Sequence, residues 1–336
     1  MKILGIESSC DETSAAVVEN GINILSLAIY SQVALHKKFE GVVPEIASRN
    51  HLLKIDKIVE TAIKEAKLSL EEIDGIAVTN KPGLIGSLVV GLNYAKGLSW
   101  ALNKPIVYIN HIEAHIYSAF FNNQISFPFL ALVISGGHTL LYKVNSFFEL
   151  ELLSKTIDDA VGEALDKAAK LLELGYPGGP IIEEKARKGN ENYLKFTMPR
   201  IKKQELNFSY SGIKTELLNY LLKMDEEEKK INLNNIAASF QKAAFMQLLK
   251  RVQKIIQQEK IQELIICGGV SANERLRELF LNDEKLKMNK VKIYFPEKKL
   301  CGDNAAMVAG LGYHFFKNNI TNNLFEDAQS RIVKKQ

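Results

Sequence analysis

The chain is poor in the features that would tie it to an oxidising compartment or a membrane. Only three cysteines occur in its 336 residues: Cys10, Cys267 and Cys301. They are far apart and odd in number, so neither a disulfide framework nor a CxxC motif can be drawn. No stretch approaches the roughly 18 apolar residues that suggest a membrane span. The N-terminus, MKILGIESSCDE, meets an acid at Glu7 before any long apolar run, unlike a signal peptide. A strong excess of one charge is also missing. The net charge of +4 permits contact with nucleic acid but does not argue for it, because a local patch matters more than a total. These absences predict a cytoplasmic protein with reduced thiols.

What is present is an ordinary globular composition, 46% apolar and 24% charged, in a chain longer than one hydrophobic core usually takes. Two domains or two joined lobes are expected. Residues 2–7 (KILGIE) and 14–19 (SAAVVE) read as strands around the polar loop SSCDET. Asn20-Gly21 signals a tight turn, and 22–30 reads as a third strand. From Pro44 to Leu68 the period becomes helical, with Ile55, Ile58, Val59, Ala62, Ile63 and Ala66 recurring on one face. A strand at 75–79, a helix at 85–102, a strand at 106–109 and a helix near His111 follow.

The second half repeats this order. Strands are predicted at 129–135, 140–144 and 147–153, and helices at 158–173 and 233–259. A strand at 263–268, a helix at 271–282, a strand at 291–295 and a helix at 304–317 complete it. The segment 174–232 breaks the pattern and reads as a partly helical insertion. The order β-β-β-α-β-α-β-α, present twice, predicts an α/β protein of the actin-like ATPase (ASKHA) fold, with two tandem ribonuclease-H-like lobes. The first lobe is expected over 1–128, completed by a C-terminal helical segment at about 304–336. The second is expected over 129–303. That step is an analogy of fold and says nothing about chemistry.

Two histidines, His111 and His115, stand at i and i+4 in NHIEAHIYSAFF. On a helix this spacing puts both imidazoles on one face, which suits two ligands of one transition metal. Asn110 is placed to cap that helix. Two polar residues on a solvated face would give the same spacing. A zincin is excluded, because Glu113 is not directly after the first histidine. A metal needs a third ligand, and Asp303, between a predicted strand and a predicted helix, is the candidate; a helix cap is its simpler role.

Three glycine-rich loops add to this. Ser135-Gly136-Gly137-His138-Thr139 joins two strands and leaves N–H groups free for an anion, or is a plain hairpin turn. Tyr176-Pro177-Gly178-Gly179-Pro180 opens the insertion. Gly268-Gly269-Val270-Ser271-Ala272-Asn273 lies between a strand and a helix, where a nucleotide's phosphate or ribose is expected. Asp11 and Glu12 lie in the first hairpin loop, where a carboxylate could orient a nucleophile or simply favour the turn. Asp166 has Lys170 four residues on, the spacing of a surface ion pair. Lys185, Arg187 and Lys188, then Arg200, Lys202 and Lys203, are basic clusters whose default is a solvated surface and whose sharper reading is an RNA-facing patch.

The stretches GIESSCDETSAAVV, GVVPEIASRNH, NHIEAH, VISGGHT, DDAVGEALDKAAKLLELGYPGGP, FSYSGIKT, CGGVSAN and DNAAM, in this order from residue 2 to about 312, resemble the TsaD family of bacterial type. These are the tRNA N6-adenosine threonylcarbamoyltransferases. The resemblance implies the actin-like fold and one transition-metal ion per subunit, Fe(II) or Zn(II), on His111, His115 and Asp303. It implies L-threonylcarbamoyl-adenylate as donor, with contacts on Ile134, Ser135, Gly136, Gly137, His138, Asp166, Gly179 and Asn273. It implies as acceptor the adenine beside the anticodon in tRNAs that read codons starting with A. A paralogous actin-like partner (TsaB-type) and a P-loop ATPase (TsaE-type) are further implied. Asp11 is the expected orienting or basic residue.

Four positions depart from the family pattern. GPGL is here Lys81-Pro82-Gly83-Leu84, a Thr before the metal Asp is Gly302, an Asp in the insertion is Glu183, and the basic-aromatic C-terminal segment is not recognisable in 320–336. Two other classes remain open on the residues alone: an actin-like sugar or acetate kinase using ATP and magnesium, and a scaffold that only binds partners. Magnesium's preference for oxygen ligands counts against the first. The retained ligand set and glycine loops count against the second.

Overall fold

The structure is a computed structural model that describes residues 1–197 and 206–331. Arg200, Lys202 and Lys203 lie outside the described residues. The chain folds as two compact units. The first is Met1–Asn123 together with the segment from Pro296 onward, and the second is Gln124–Phe295.

The first unit is built on a five-stranded sheet of order β3-β2-β1-β4-β5. Its strands are β1 (Lys2–Glu7), β2 (Glu12–Glu19), β3 (Asn23–Ser31), β4 (Gly75–Lys81) and β5 (Ile106–Asn110). The first three form an antiparallel meander, and β4 and β5 add in parallel. Asn20 (φ 52°) and Gly21 (φ 81°) both take positive φ, as the tight turn between β2 and β3 requires. The central strand β1 is apolar through Ile6 and buried on both faces, as a strand covered by helices on both sides must be.

The helices of this unit are α1 (Val33–His36), α2 (Pro44–Glu65), α3 (Ile85–Leu102) and α4 (His111–Tyr117). Pro44 starts α2, where its missing N–H costs nothing. Ala47, His51, Ile55, Val59, Ala62 and Ile63 then form its buried stripe.

The second unit repeats the topology: β10-β9-β6-β7-β8. Here β6 (Phe129–Ile134), β7 (Thr139–Ser146) and β8 (Glu149–Lys155) form the antiparallel meander, and β9 (Glu263–Cys267) and β10 (Lys292–Tyr294) pair in parallel beyond β6. Helix α5 (Val161–Leu171) and the long α9 (Leu233–Glu259) bury their apolar faces in this unit's core. The insertion is helical in part, with α6 (Gly178–Ala186), α7 (Ser211–Leu221) and α8 (Glu226–Ile231). After β9 come α10 (Glu274–Leu281) and α11 (Glu284–Met288).

Helix α12 (Ala305–Lys317) returns to the first unit. It packs on β1 so closely that a methyl group on Gly5 would overlap the Ala305 carbonyl oxygen. The helix read over 304–317 is present as Ala305–Lys317, and Asn319 turns to φ 55° where the chain leaves the helical path; among the described residues no helix continues toward 336. From Asn322 the chain instead runs along the outer edge of β5. Asp303 lies in the first unit, just after Leu300 and Cys301, which are buried on the approach to α12. Among the described residues, no helix is long and apolar enough to cross a membrane, and no two cysteines are joined in a disulfide.

Candidate metal centre

In a parallel arrangement the C-terminal strand ends lie side by side, and ligands collect there. Here β1 ends at Glu7, β4 carries Thr79 near its end, and β5 ends at Asn110. Asn110 caps α4 as expected, its side-chain oxygen accepting the Ile112 N–H at 2.9 Å. The cap starts α4 at the strand end and points His111 and His115 to one side. Their ring centroids are 4.5 Å apart with an interplanar angle of 79°.

Asp303 arrives from the other end of the unit. It does not cap α12; Asn304 does, by accepting the Met307 N–H at 3.0 Å. The simpler role proposed for Asp303 is therefore filled by its neighbour. Asp303 Oδ1 lies 3.1 Å from His115 Nε2 and 3.5 Å from His111 Nε2. One ligand atom from each of the three residues falls within 4.8 Å of the others, so the group is able to hold a metal ion. His111 is 7% exposed and His115 1%, which removes the solvated-face reading of the HxxxH spacing. Among the described residues, the buried Nδ1 of His115 has no hydrogen-bond partner.

Sequence reasoning missed the residue behind His111. Glu7 is fully buried, and its Oε2 lies 3.0 Å from His111 Nδ1. Ser9 Oγ lies 3.1 Å from the same nitrogen. The signal was present: an acid ends an otherwise apolar central strand.

The electrostatics follow from this crowding. Burial acts to lower the pKa of His111, but Asp303 and Glu7 outweigh it and push the imidazole up to about 9. Burial acts to raise Glu7, and the charge and hydrogen bond of His111 outweigh that, holding the carboxyl below its ordinary range. Glu12 is pushed up to about 9 by burial, then by Asp303 and Asp11. Burial, followed by Asp11 and Asp303, likewise pushes the Cys10 thiol up. The carboxylates of Glu7, Asp11 and Asp303 thus give this region a negative field that favours a cation. Glu113, on α4, is pushed up to about 7 by burial, against the pull of Lys81 and Asn110. Lys81 therefore acts as a nearby cation for that half-buried acid. Gly302 has open space where a side chain would be.

In the second unit, the loop after β6 closes with the Ser135 N–H donating to the His138 carbonyl at 2.9 Å. Gly162 on α5 abuts it; a methyl group there would overlap the Ser135 carbonyl oxygen. Among the described residues, nothing lies within 4 Å of a methyl group placed on Gly136 or Gly137. Asp166 accepts the Gly178 N–H at 2.7 Å, so it holds the PGGP turn from within its own unit. Burial raises its pKa, and the Gly178 and Gly179 N–H groups work against that. Asn273 caps α10 through the Leu276 N–H at 3.1 Å and donates to Gln241 at 3.0 Å. Glu183 accepts the Glu274 N–H at 2.9 Å. Arg187 pairs with Glu183 and Glu274, so its charge is compensated within the protein.

A meander of three antiparallel strands extended by two parallel ones, present twice, is the actin-like ATPase (ASKHA) architecture. Two solved structures share it. Full-length HypF in its phosphate- and nucleotide-bound form aligns with a TM-score of 0.62 at 13% identity, covering 96% of this chain and 56% of that one. Component A of the (R)-2-hydroxyglutaryl-CoA dehydratase of Acidaminococcus fermentans aligns with a TM-score of 0.54 at 15% identity, covering 94% and 98%. At such identities the likeness concerns the fold alone.

Sequence similarity is more specific. Residues 23–310 match the TsaD family, described as tRNA N6-adenosine threonylcarbamoyltransferase. A protein of that name from Borrelia garinii subsp. bavariensis is 48% identical over 336 residues, covering 99% of this chain and 97% of its own. The chain belongs to the TsaD family.

Proposed function

We propose that this transferase moves the threonylcarbamoyl group of L-threonylcarbamoyl-adenylate to N6 of the adenine next to the anticodon, in tRNAs reading codons that start with A. Its class, a tRNA-modifying acyltransferase, follows from the family. The donor, the released AMP and the codon class are the proposal. N6 attacks the carbamoyl carbon, the bond from that carbon to the phosphate oxygen breaks, AMP leaves, and N6 loses one proton.

The observation that carries this reading is the convergence of His111, His115 and Asp303, residues of a kind that bind transition metals, in a buried negative field. Two imidazoles and one carboxylate suit Fe(II) or Zn(II); magnesium would favour an all-oxygen set. When bound, such an ion supplies Lewis-acid polarisation of an acyl oxygen.

The chain's own residues do the rest. The loop Ile134–His138, with Asp166, Gly179 and Asn273, is proposed to hold the AMP portion. The open space at Gly136 and Gly137 supports a close approach of ligand to backbone. The engagement of Asn273 and Asp166 in caps and turns makes them organisers of that loop set as much as contacts. Asp11, 8% exposed and next to Glu12 in the loop after β1, is assigned to orient the attacking amine. A TsaB-type paralogue and a TsaE-type ATPase are the proposed partners, in the cytoplasm.

The test is metal analysis after dialysis, combined with a transfer assay run with and without the partner proteins. One ion per chain, and AMP release that requires tRNA, are expected. Phosphoryl transfer from ATP to a small molecule would replace the proposal with a kinase. Full transfer activity in a folded, metal-free His111→Ala/His115→Ala variant would remove the metal from it.

A further inference from the structure

The Glu7 carboxylate is used more fully than its place at a strand end requires. It is 0% exposed. Its Oε1 accepts the Ser9 N–H at 2.6 Å, and its Oε2 accepts the Thr79 hydroxyl at 2.6 Å and faces His111 Nδ1 at 3.0 Å. A carboxylate without water is costly unless paired and hydrogen-bonded. Here each of three different segments supplies one donor: the loop after β1, strand β4 and helix α4.

An ionised carboxylate only accepts hydrogen bonds, so the His111 nitrogen that faces Glu7 must carry a proton. The other nitrogen, Nε2, is then the one presented to Asp303, at 3.5 Å. The second histidine is not held in this way: His115 Nδ1 is buried without a partner. The two ligands are therefore unequal, one anchored from behind and one not.

We infer that Glu7 is a positioning residue of the metal centre. It fixes the tautomer and ring orientation of His111 so that Nε2 faces the ion, and Thr79 and Ser9 hold Glu7 in place. This inference rests on the metal reading above. Outer partners of this kind typically change metal affinity by roughly 10–100-fold.

The experiment compares the full-length protein with Glu7→Gln and Thr79→Val. Zn(II) affinity is measured by competition with a chromophoric chelator, and the visible spectrum is recorded with Co(II) in place of zinc. Glu7→Gln is expected to weaken Zn(II) binding at least about 10-fold and to shift the Co(II) bands. Thr79→Val, which keeps the carboxylate but removes one of its donors, is expected to loosen binding by a smaller factor. It carries the test if Glu7→Gln fails to fold. A residue that merely supports the fold would change the thermal midpoint and leave the Co(II) bands of the folded fraction unmoved. Wild-type affinity and an unchanged Co(II) spectrum in the folded variants would overturn the role of Glu7. Failure of the wild-type protein to bind either ion would instead overturn the metal reading on which it rests.

Discussion

Asp303 lies 188 residues beyond His115 in the chain, and its Oδ1 sits 3.1 Å from His115 Nε2. Two local structures produce that contact. The Asn110 cap starts α4 at the end of β5, and α12 is seated on β1 through the close approach at Gly5. The Ser14 hydroxyl oxygen accepts the Ala305 N–H at 3.0 Å and fixes the start of α12 two residues after Asp303.

If the centre holds a metal as proposed, Asp303→Ala should lose it without losing the fold. Asn304 remains to cap α12, so the helix start survives. Removing one of the three proposed ligands is expected to lower metal affinity by more than about 100-fold, since outer partners alone are worth roughly 10–100-fold. Metal content after dialysis, with circular dichroism on the same sample, checks this.

Gly162→Ala and Gly136→Ala should behave in opposite ways. The first forces a methyl group against the Ser135 carbonyl oxygen and should destabilise the protein by about 1–3 kcal/mol. The second meets nothing in the protein and should change stability by no more than about 0.5 kcal/mol. If the 135–138 loop receives the AMP portion, Gly136→Ala should still raise the KM for the adenylate. Thermal unfolding and steady-state kinetics on both variants separate the two effects.

Acid should weaken the first unit through His314. Burial, and then Lys317, depress this imidazole to about 4, while its unfolded value is near 6.5. Between those values the unfolded chain binds the proton and the folded one does not. The stability it supports is full above about pH 6.5 and is lost as the pH falls toward 4. The Nε2 of His314 lies 3.0 Å from the Tyr117 hydroxyl. His314→Gln keeps a hydrogen-bonding group there without the titration. A smaller fall in thermal midpoint between pH 7 and pH 5 than in wild type is the expected result.

The last described segment covers an edge of the sheet. The Asn322 N–H donates to the Ile106 carbonyl at 2.9 Å, the Tyr108 hydroxyl donates to the Asn323 carbonyl at 2.8 Å, and the Gln329 N–H donates to the Asn80 carbonyl at 2.9 Å. Leu324 and Ala328 pack on the core beneath. Truncation after Asn319 should cost about 3 kcal/mol, from one half-buried leucine and a few hydrogen bonds. It should also expose the β5 edge to pairing with other chains. Unfolding midpoints and light scattering test both consequences.

How much of this could be read beforehand depended on distance along the chain. The two meanders, the 85–102 helix and the Asn20-Gly21 turn were legible because their signals are local: apolar periodicity and turn residues. The histidine pair was legible for the same reason. Asp303 became a candidate through its place between a predicted strand and helix. Glu7 was passed over, because an acid at a strand end looks like any strand-end acid until its neighbours are known. The course of 318–331 was not legible, since a segment without period gives no sign of which sheet edge it will cover.

The order of residues alone therefore determined the elements, their duplication, the family and the spacing of the two histidines. Each of these rests on residues a few positions apart or on motifs in fixed succession. Only the packed structure decided that Asp303 faces the histidines instead of capping α12, that Glu7 stands behind His111 and nothing stands behind His115 Nδ1, and that the C-terminal segment closes the β5 edge. Those outcomes depend on how closely helices and strands approach one another, which steric fit at places such as Gly5 and burial of charge at places such as Glu7 settle after the chain has folded.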